Sequence, residues 1–408
     1  GYIRTLSETY GGGGWDETFK DFKRLGDWEY VLGVNFMNQH LSHMTLTGAR
    51  KYDYPPVFTY HSPWWSNYKS LNDYYARLSW VMSKGVQDND ILVIEPNSTL
   101  WSYYSHTKSS KQLMEVGQAV KNGQFVIGKA AYSTVVLPPL METLNKPTFD
   151  LLQKFVLQGG KVVRFSSPNR IDGAENSELA KVLSAQSVIS YDQLNEKVIQ
   201  DAFPPKDCKF SFKGGDLFHQ RRKFADGELL LVNSSMTESV EGTIATVGKS
   251  AIRLDAMEGK IYSYPSVVDN GLLHTDFHLE PAGSLLLYYS NHILKGYPEA
   301  PAIAGNTKLA ASKSVEVKRL KENALNIDFC DVSVKGKTQK NIYFAQAADM
   351  VFKEYGFTNG NPWNTSVQYK RNILDRDTFK TGGFVATYHF NVNDKFDYST
   401  MKLVAERP

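Results

Sequence analysis

The chain has 408 residues, with 46 Lys and Arg against 43 Asp and Glu, and is 42% hydrophobic and 13% aromatic; this excludes a disordered polypeptide and leaves room for two to four domains. A formal net charge of +3 gives no electrostatic basis for nucleic acid or an anionic membrane surface as the main partner. The 23 Tyr, 22 Phe and 7 Trp are more ring surface than a core alone usually requires, and either dense packing or exposed rings stacking on an uncharged sugar accounts for the surplus.

In chain order, residues 1–87 read as strand, helix, strand, long loop, helix, the repeating unit of a parallel α/β fold. The first strand is Tyr2 to Glu8, broken by Gly11–Gly14. Phe19, Phe22, Leu25, Trp28 and Leu32 then recur at steps of three and four, predicting a helix over 15–32 closed by Gly33. Val34 to Gln39 is the second strand, and after an aromatic loop comes a helix over 67–84. Two βα units do not close a barrel, so this segment reads as the last two units of a (β/α)8 barrel whose earlier strands come from upstream sequence or another chain. Because the chain opens in strand-like sequence without Met, the numbering is expected to begin inside a longer precursor. The first residues carry no secretory signal pattern, and no apolar run is long enough to span a membrane.

Residues 88–200 carry DILVIEP, STVVLPP and GGKVVRF, short β-branched runs between turn residues, with a helix over 148–158; this predicts a small doubly wound, flavodoxin/amidotransferase-like α/β domain. It has no dinucleotide fingerprint or phosphate loop. Neither Cys208 nor Cys330 lies in it, which removes amidotransferase chemistry, and their separation removes a cysteine zinc site and a disulfide scaffold. Residues 201–295 alternate in short runs such as GELLLVNSS and PAGSLLLYYS, predicting a β-sandwich. After the Pro-rich GYPEAPAIAGN, residues 296–408 read as mostly strands, NIYFAQAADMVFKEYGF among them, and predict a second β-sandwich or jelly roll.

Glu8 ends the first predicted strand, where a parallel barrel presents side chains to its mouth. Glycoside hydrolysis needs two carboxyl groups across the scissile bond, and Glu8 suits one of them; the alternative is a helix cap or a pair with Arg50 or Lys51. His40 and His43 follow the second strand and suit sugar hydroxyls or packing better than a metal, since no Glu stands between them. The loop over 45–65 gathers Arg50, Lys51, Asp53, Tyr60, His61, Trp64 and Trp65 around three prolines, a stiff wall for a carbohydrate, although one Trp of the pair is expected to anchor the loop. His219, Arg221 and Arg222 read as a solvated strand face or an interdomain contact. Asp328 and Asp331, with the NPWN segment at 361–364, are candidate calcium oxygens without the usual calcium-loop register.

The stretch SETYGGGGWDETFKDFKRLGDWEYVLGVNFMNQHLSHMTLTGARKYDYPPVFTYHSPWW resembles family 106 glycoside hydrolases, the inverting α-L-rhamnosidases, and the resemblance continues through DILVIEP, VVLPP, HQRR, ADGELLLVNSS, NPWNTSVQYK and GFVATY. It implies a multidomain α/β plus all-β architecture: the end of a (β/α)8 barrel, the α/β domain, then β-sandwiches. It also implies a periplasmic or secreted hydrolase acting on terminal α-L-rhamnose in a rhamnose-containing glycan, and a Ca2+ ion at the bound sugar. Glu8, in S-E-T-Y-G, matches the family's general base. His40, with the Arg50, Lys51 and Asp53 loop, matches its substrate side. The strand bearing the general acid would precede Gly1, so this polypeptide supplies half of the catalytic pair and is expected to be inactive alone. Two other readings stand beside this one: a non-catalytic carbohydrate-binding scaffold, and a barrel glycosidase of other specificity such as a β-galactosidase.

Overall fold

The computed structural model describes residues 4–40, 42–46, 54–103, 118–128, 130–205, 207–234, 237–301, 325–362, 382–392 and 397–404, with the single positions 310, 314, 316 and 318. The chain forms two compact units, Gly1–Ile303 and Ala304–Ala405. Arg50, Lys51 and Asp53 lie outside the described residues.

The first unit begins with strand β1 (Leu6–Thr9), helix α1 (Phe19–Val31), strand β2 (Phe36–Gln39) and helix α2 (Tyr68–Met82). β1 and β2 pair in parallel, Leu6 opposite Phe36 and Glu8 opposite Asn38. Thr18 starts α1 through a capping box: its hydroxyl accepts from the Asp21 N–H while the Asp21 carboxylate accepts from the Thr18 N–H. Gly33, at φ +117°, closes it in the left-handed conformation expected of a glycine just past a helix.

The buried face of α1 differs from the predicted stripe. Phe22, Gly26, Asp27, Tyr30 and Val31 face inward, while Trp28 and Leu32 are exposed. Two features turn the helix. A β-carbon on Gly26 would sit 2.1 Å from the Tyr75 hydroxyl, so glycine lets α2 approach closely. Asp27, fully buried, accepts from Lys23 Nζ at 2.5 Å and from the Tyr74 hydroxyl at 2.7 Å, and Lys23 also donates to Ser284 Oγ at 2.7 Å. A paired and hydrogen-bonded carboxylate can thus take a core position that its residue type would not suggest.

Four strands, Ile91–Val93, Thr134–Leu137, Lys161–Arg164 and Val188–Ser190, form one parallel sheet in that spatial order. Val135, Leu137 and Val162 pack on one side with Leu152 and Phe155 of the helix Lys146–Leu157; Val136 and Val163 pack on the other with Ala202. Both faces of the two central strands are covered, which is why TVVL and KVVR carry adjacent buried apolar residues, whereas Ile91 and Val93 of the edge strand are exposed.

Two antiparallel sheets follow. One contains Cys208–Gly214, Val240–Thr246, Leu272–Leu279 and Val267–Asp269. The other is six-stranded and includes Phe218–Phe224, Gly227–Asn233, Ser284–Ser290 and, at one edge, β3 (Val86–Gln87). Within Gly227–Asn233, Leu230 and Val232 pack between the two sheets, while Leu229 and Leu231 pack on α1 and α2 with Leu286. The LLLV run is therefore a strand covered on both sides.

In the second unit, Phe329–Val334 pairs antiparallel with Lys337–Tyr343 and with Val385–Thr387. Phe344–Glu354, read from sequence as strand, is an α-helix. Its Ala347 and Val351, four residues apart, bury against Cys330, Val332 and Val334, and the AQAAD run has the helix propensity that rings on either side obscure.

Candidate functional site

The geometry around Glu8 follows from which way β1 faces. Ser7 Oγ and Thr9 Oγ1 donate to the two carboxylate oxygens of Glu29 in α1 at 2.9 and 2.7 Å, and Met37 is buried against the helices. The alternate residues Leu6, Glu8, Phe36 and Asn38 therefore face away from the helices. Leu6 is 55% and Phe36 48% exposed, an apolar strip lying beneath a polar pair, Glu8 and Asn38, toward the carboxyl ends of both strands.

His40 follows at once. Its N–H donates to the Thr9 carbonyl at 2.8 Å, continuing the parallel ladder past β2. Its Nε2 lies 3.7 Å from Glu8 Oε1, with the carboxylate side chain 58% and the imidazole 13% exposed. The buried Nδ1 has no hydrogen-bond partner among the described residues. The Tyr54 ring lies 5.3 Å from the imidazole, centroid to centroid. Tyr54 has φ +52° and precedes the cis Pro55–Pro56 bond. Gly14 N–H donates to the Pro55 carbonyl at 3.0 Å, tying the glycine run to the aromatic loop. A β-carbon on Gly12, at φ +75°, would meet the Tyr54 ring at 3.4 Å.

Glu8, Asn38, His40 and Tyr54 thus converge over Gly11 and Gly12. Sequence reading named Glu8 and His40 and missed Asn38 and Tyr54. Parallel pairing of β1 with β2 was the signal for Asn38, once a register was assumed; Tyr54 had none beyond its place before two prolines.

The other candidates are dispersed. His43 is half-buried, three residues beyond His40. Tyr60 is exposed and its ring lies 4.1 Å from that of His61 in a tilted pair, and no described contact joins it to Glu8 or His40. Trp64 packs among Phe19, Phe22, Phe58 and Tyr68 at 5.2 to 6.1 Å and anchors the loop; Trp65 is the exposed ring of the pair.

Among the described residues, Asp88, Asp207 and Glu228 are the group whose acidic oxygens converge closely enough for a metal. Their charge is already met by Arg221, at 3.2, 2.9 and 2.6 Å from the three carboxylates, and by Lys223, 3.0 Å from Asp88. Burial alone would push the Asp207 carboxyl up, but Arg221 and Lys223 together hold it below its ordinary value. Arg222 donates to the Lys84 and Gly85 carbonyls. The HQRR run is thus a joint between the α2 end and the sandwich, one of the two readings its sequence allowed. Near the chain end, the Asp331 carboxylate accepts from the Asn341 N–H at 2.8 Å and pairs with His389 at 3.1 Å, while Asp349 accepts from the Asn361 N–H at 2.7 Å.

Together these parts define a protein of mixed α/β and multi-sheet all-β class. The fold is similar to that of the rhamnosidase from Novosphingobium sp. PP1Y, with a TM-score of 0.55 and 17% identity over 81% of this chain and 34% of that one. The chain thus spans about a third of that rhamnosidase's length, and the likeness is one of fold. Two structures of Gan42B, a GH42 β-galactosidase, match at 7% identity: a catalytic mutant from G. stearothermophilus, with a TM-score of 0.46 over 67% of this chain and 51% of that one, and a second with 0.44 over 70% and 53%. No known family and no curated protein matches the sequence. No helix among the described residues is long and apolar enough to cross a membrane.

Proposed function

We propose that the chain is part of an exported glycoside hydrolase that removes terminal α-L-rhamnose from a glycan with inversion, Glu8 acting as general base. The observation that carries this reading is Glu8 itself, a carboxylate at the carboxyl end of a parallel strand, on the face away from the helices, beside Asn38 and 3.7 Å from His40. Further parallel strands, from outside these residues, would cover Leu6 and Phe36 and close a barrel. One of them would bring the general acid, roughly 6.5 to 9.5 Å from Glu8 so that a water fits between.

In this scheme Glu8 takes a proton from that water as it attacks the anomeric carbon, and the acid protonates the departing oxygen. His40 orients Glu8 through Nε2, while Tyr54 presents a ring face. A calcium ion takes about six to eight oxygen ligands, and among the described residues this face offers only the Glu8 carboxylate and the Asn38 carbonyl oxygen. Those two groups by themselves fall short of a calcium site, so the Ca2+ that the sequence resemblance implies would draw its other ligands from the completing strands.

The test is Glu8→Gln in the polypeptide that includes the completing strands. Turnover of an aryl α-L-rhamnoside falls by about three orders of magnitude or more while rhamnose affinity is kept. Near-normal turnover refutes the role of Glu8. Turnover of an aryl β-galactoside alone moves the substrate to galactose, and binding without turnover in the unsubstituted enzyme favours a carbohydrate-binding scaffold.

A further inference from the structure

The second unit holds a cavity of about 400 Å³ lined by Asn326, Asp328, Phe329, Asp331, Asn341, His389, Phe390 and neighbouring backbone, within the size range of pockets that enclose small ligands. It is built around an irregularity. Cys330 pairs with Ile342 but Val332 pairs with Gln339, so the strand Lys337–Tyr343 carries one extra residue opposite Asp331. Asn341, at φ +50°, sits at that bulge, and its N–H donates to Asp331 Oδ1 at 2.8 Å. His389, just past the strand Val385–Thr387, meets Asp331 Oδ2 at 3.1 Å through Nε2. The carboxylate is fixed from two sides, and Nδ1 of an exposed imidazole is left for a ligand.

We infer that this cavity binds a neutral pyranose sugar, at a site separate from Glu8 and independent of its chemistry. The lining decides the class. Among the described residues its lining holds two carboxylates and no Lys or Arg, which disfavours a phosphate or carboxylate ligand. Asp331 already accepts from two donors, and no described group of three metal-type side chains forms here, which argues against a divalent cation. What remains is a set of planar polar groups, Asn326, Asn341 and His389, suited to vicinal hydroxyls, together with Phe329 and Phe390, both exposed and available to the C–H face of a ring.

Isothermal titration of the full chain with L-rhamnose and with D-galactose tests this. Saturable binding of at least one sugar is expected, unchanged in Glu8→Gln. Phe390→Ala and His389→Ala, both at exposed positions and leaving the thermal melt unchanged, each weaken it by about tenfold. The proposal is overturned by no heat from either sugar, by affinity indifferent to both substitutions, or by a response to calcium chloride alone. None of these outcomes bears on Glu8, whose own test is turnover.

Discussion

Gly11 and His40 share one space: a β-carbon on Gly11 would lie 2.8 Å from Cδ2 of the imidazole. Gly11 is not among the residues at positive φ, so its backbone tolerates alanine and the clash alone is at issue. Gly11→Ala should push His40 from Glu8 and lower kcat/KM on an aryl α-L-rhamnoside by about tenfold or more with little change in melting temperature, because small misplacements at a reacting centre are costly. Unaltered kcat/KM would remove His40 from the positioning of Glu8.

Leu230→Ala and Leu231→Ala should each cost about 2 to 5 kcal/mol in urea unfolding. A sandwich strand with one wet face would show a large loss at one position and almost none at its neighbour. Here both side chains are fully buried, one between the sheets and one beneath the helices; a negligible loss at Leu231 would contradict that placement.

Replacing Arg221 by Met leaves three carboxylates facing one another with Lys223 as their remaining close cation among the described residues. The loss expected is about 3 kcal/mol, the low end for breaking a buried pair because Asp207 is partly exposed. The additional substitution Glu228→Gln should restore part of it; a double variant worse than the single one would show that packing of the Arg221 stem matters more than its charge.

Glu17 should show an inverted pH signature. Its Oε2 is buried with no hydrogen-bond partner among the described residues, and its carboxyl is raised from the ordinary value first by burial, then by Asp21 and Asp16, against Arg24. The folded chain therefore holds this proton more tightly than the unfolded chain. Stability from Glu17 is present below the unfolded value, about 4.3, and is lost as pH rises through the folded one. Glu17→Gln should raise the melting temperature at pH 7, and the gain should shrink on acidification to pH 4; a gain that grows on acidification would reverse the sign.

Legibility in the sequence followed the locality of the signal. The central α/β strands could be read from TVVL and KVVR because uninterrupted apolar runs between turn residues are what a doubly covered parallel sheet requires, and the edge strand ILV from its β-branched composition. The face of α1 could not. Its inward residues include Asp27 and Gly26, whose fitness depends on Lys23, Tyr74 and Tyr75 across the interface, so a search for apolar spacing chose Trp28 and Leu32 instead. At the site, strand-end position was enough to single out Glu8 and His40. Asn38 required a register and Tyr54 a left-handed turn. Trp64 was chosen for its type, which says nothing about whether a ring faces a ligand or its own core.

The strand Gly227–Asn233 also bears on how freely such pieces can be shuffled. A sheet that is greasy on both sides cannot be lifted out as a self-contained cassette, since residues 201–295 alone would bare Leu229, Leu231 and Leu286 to water. Grafting that segment onto a foreign host calls either for bringing α1 and α2 along or for repainting those three leucines with polar side chains.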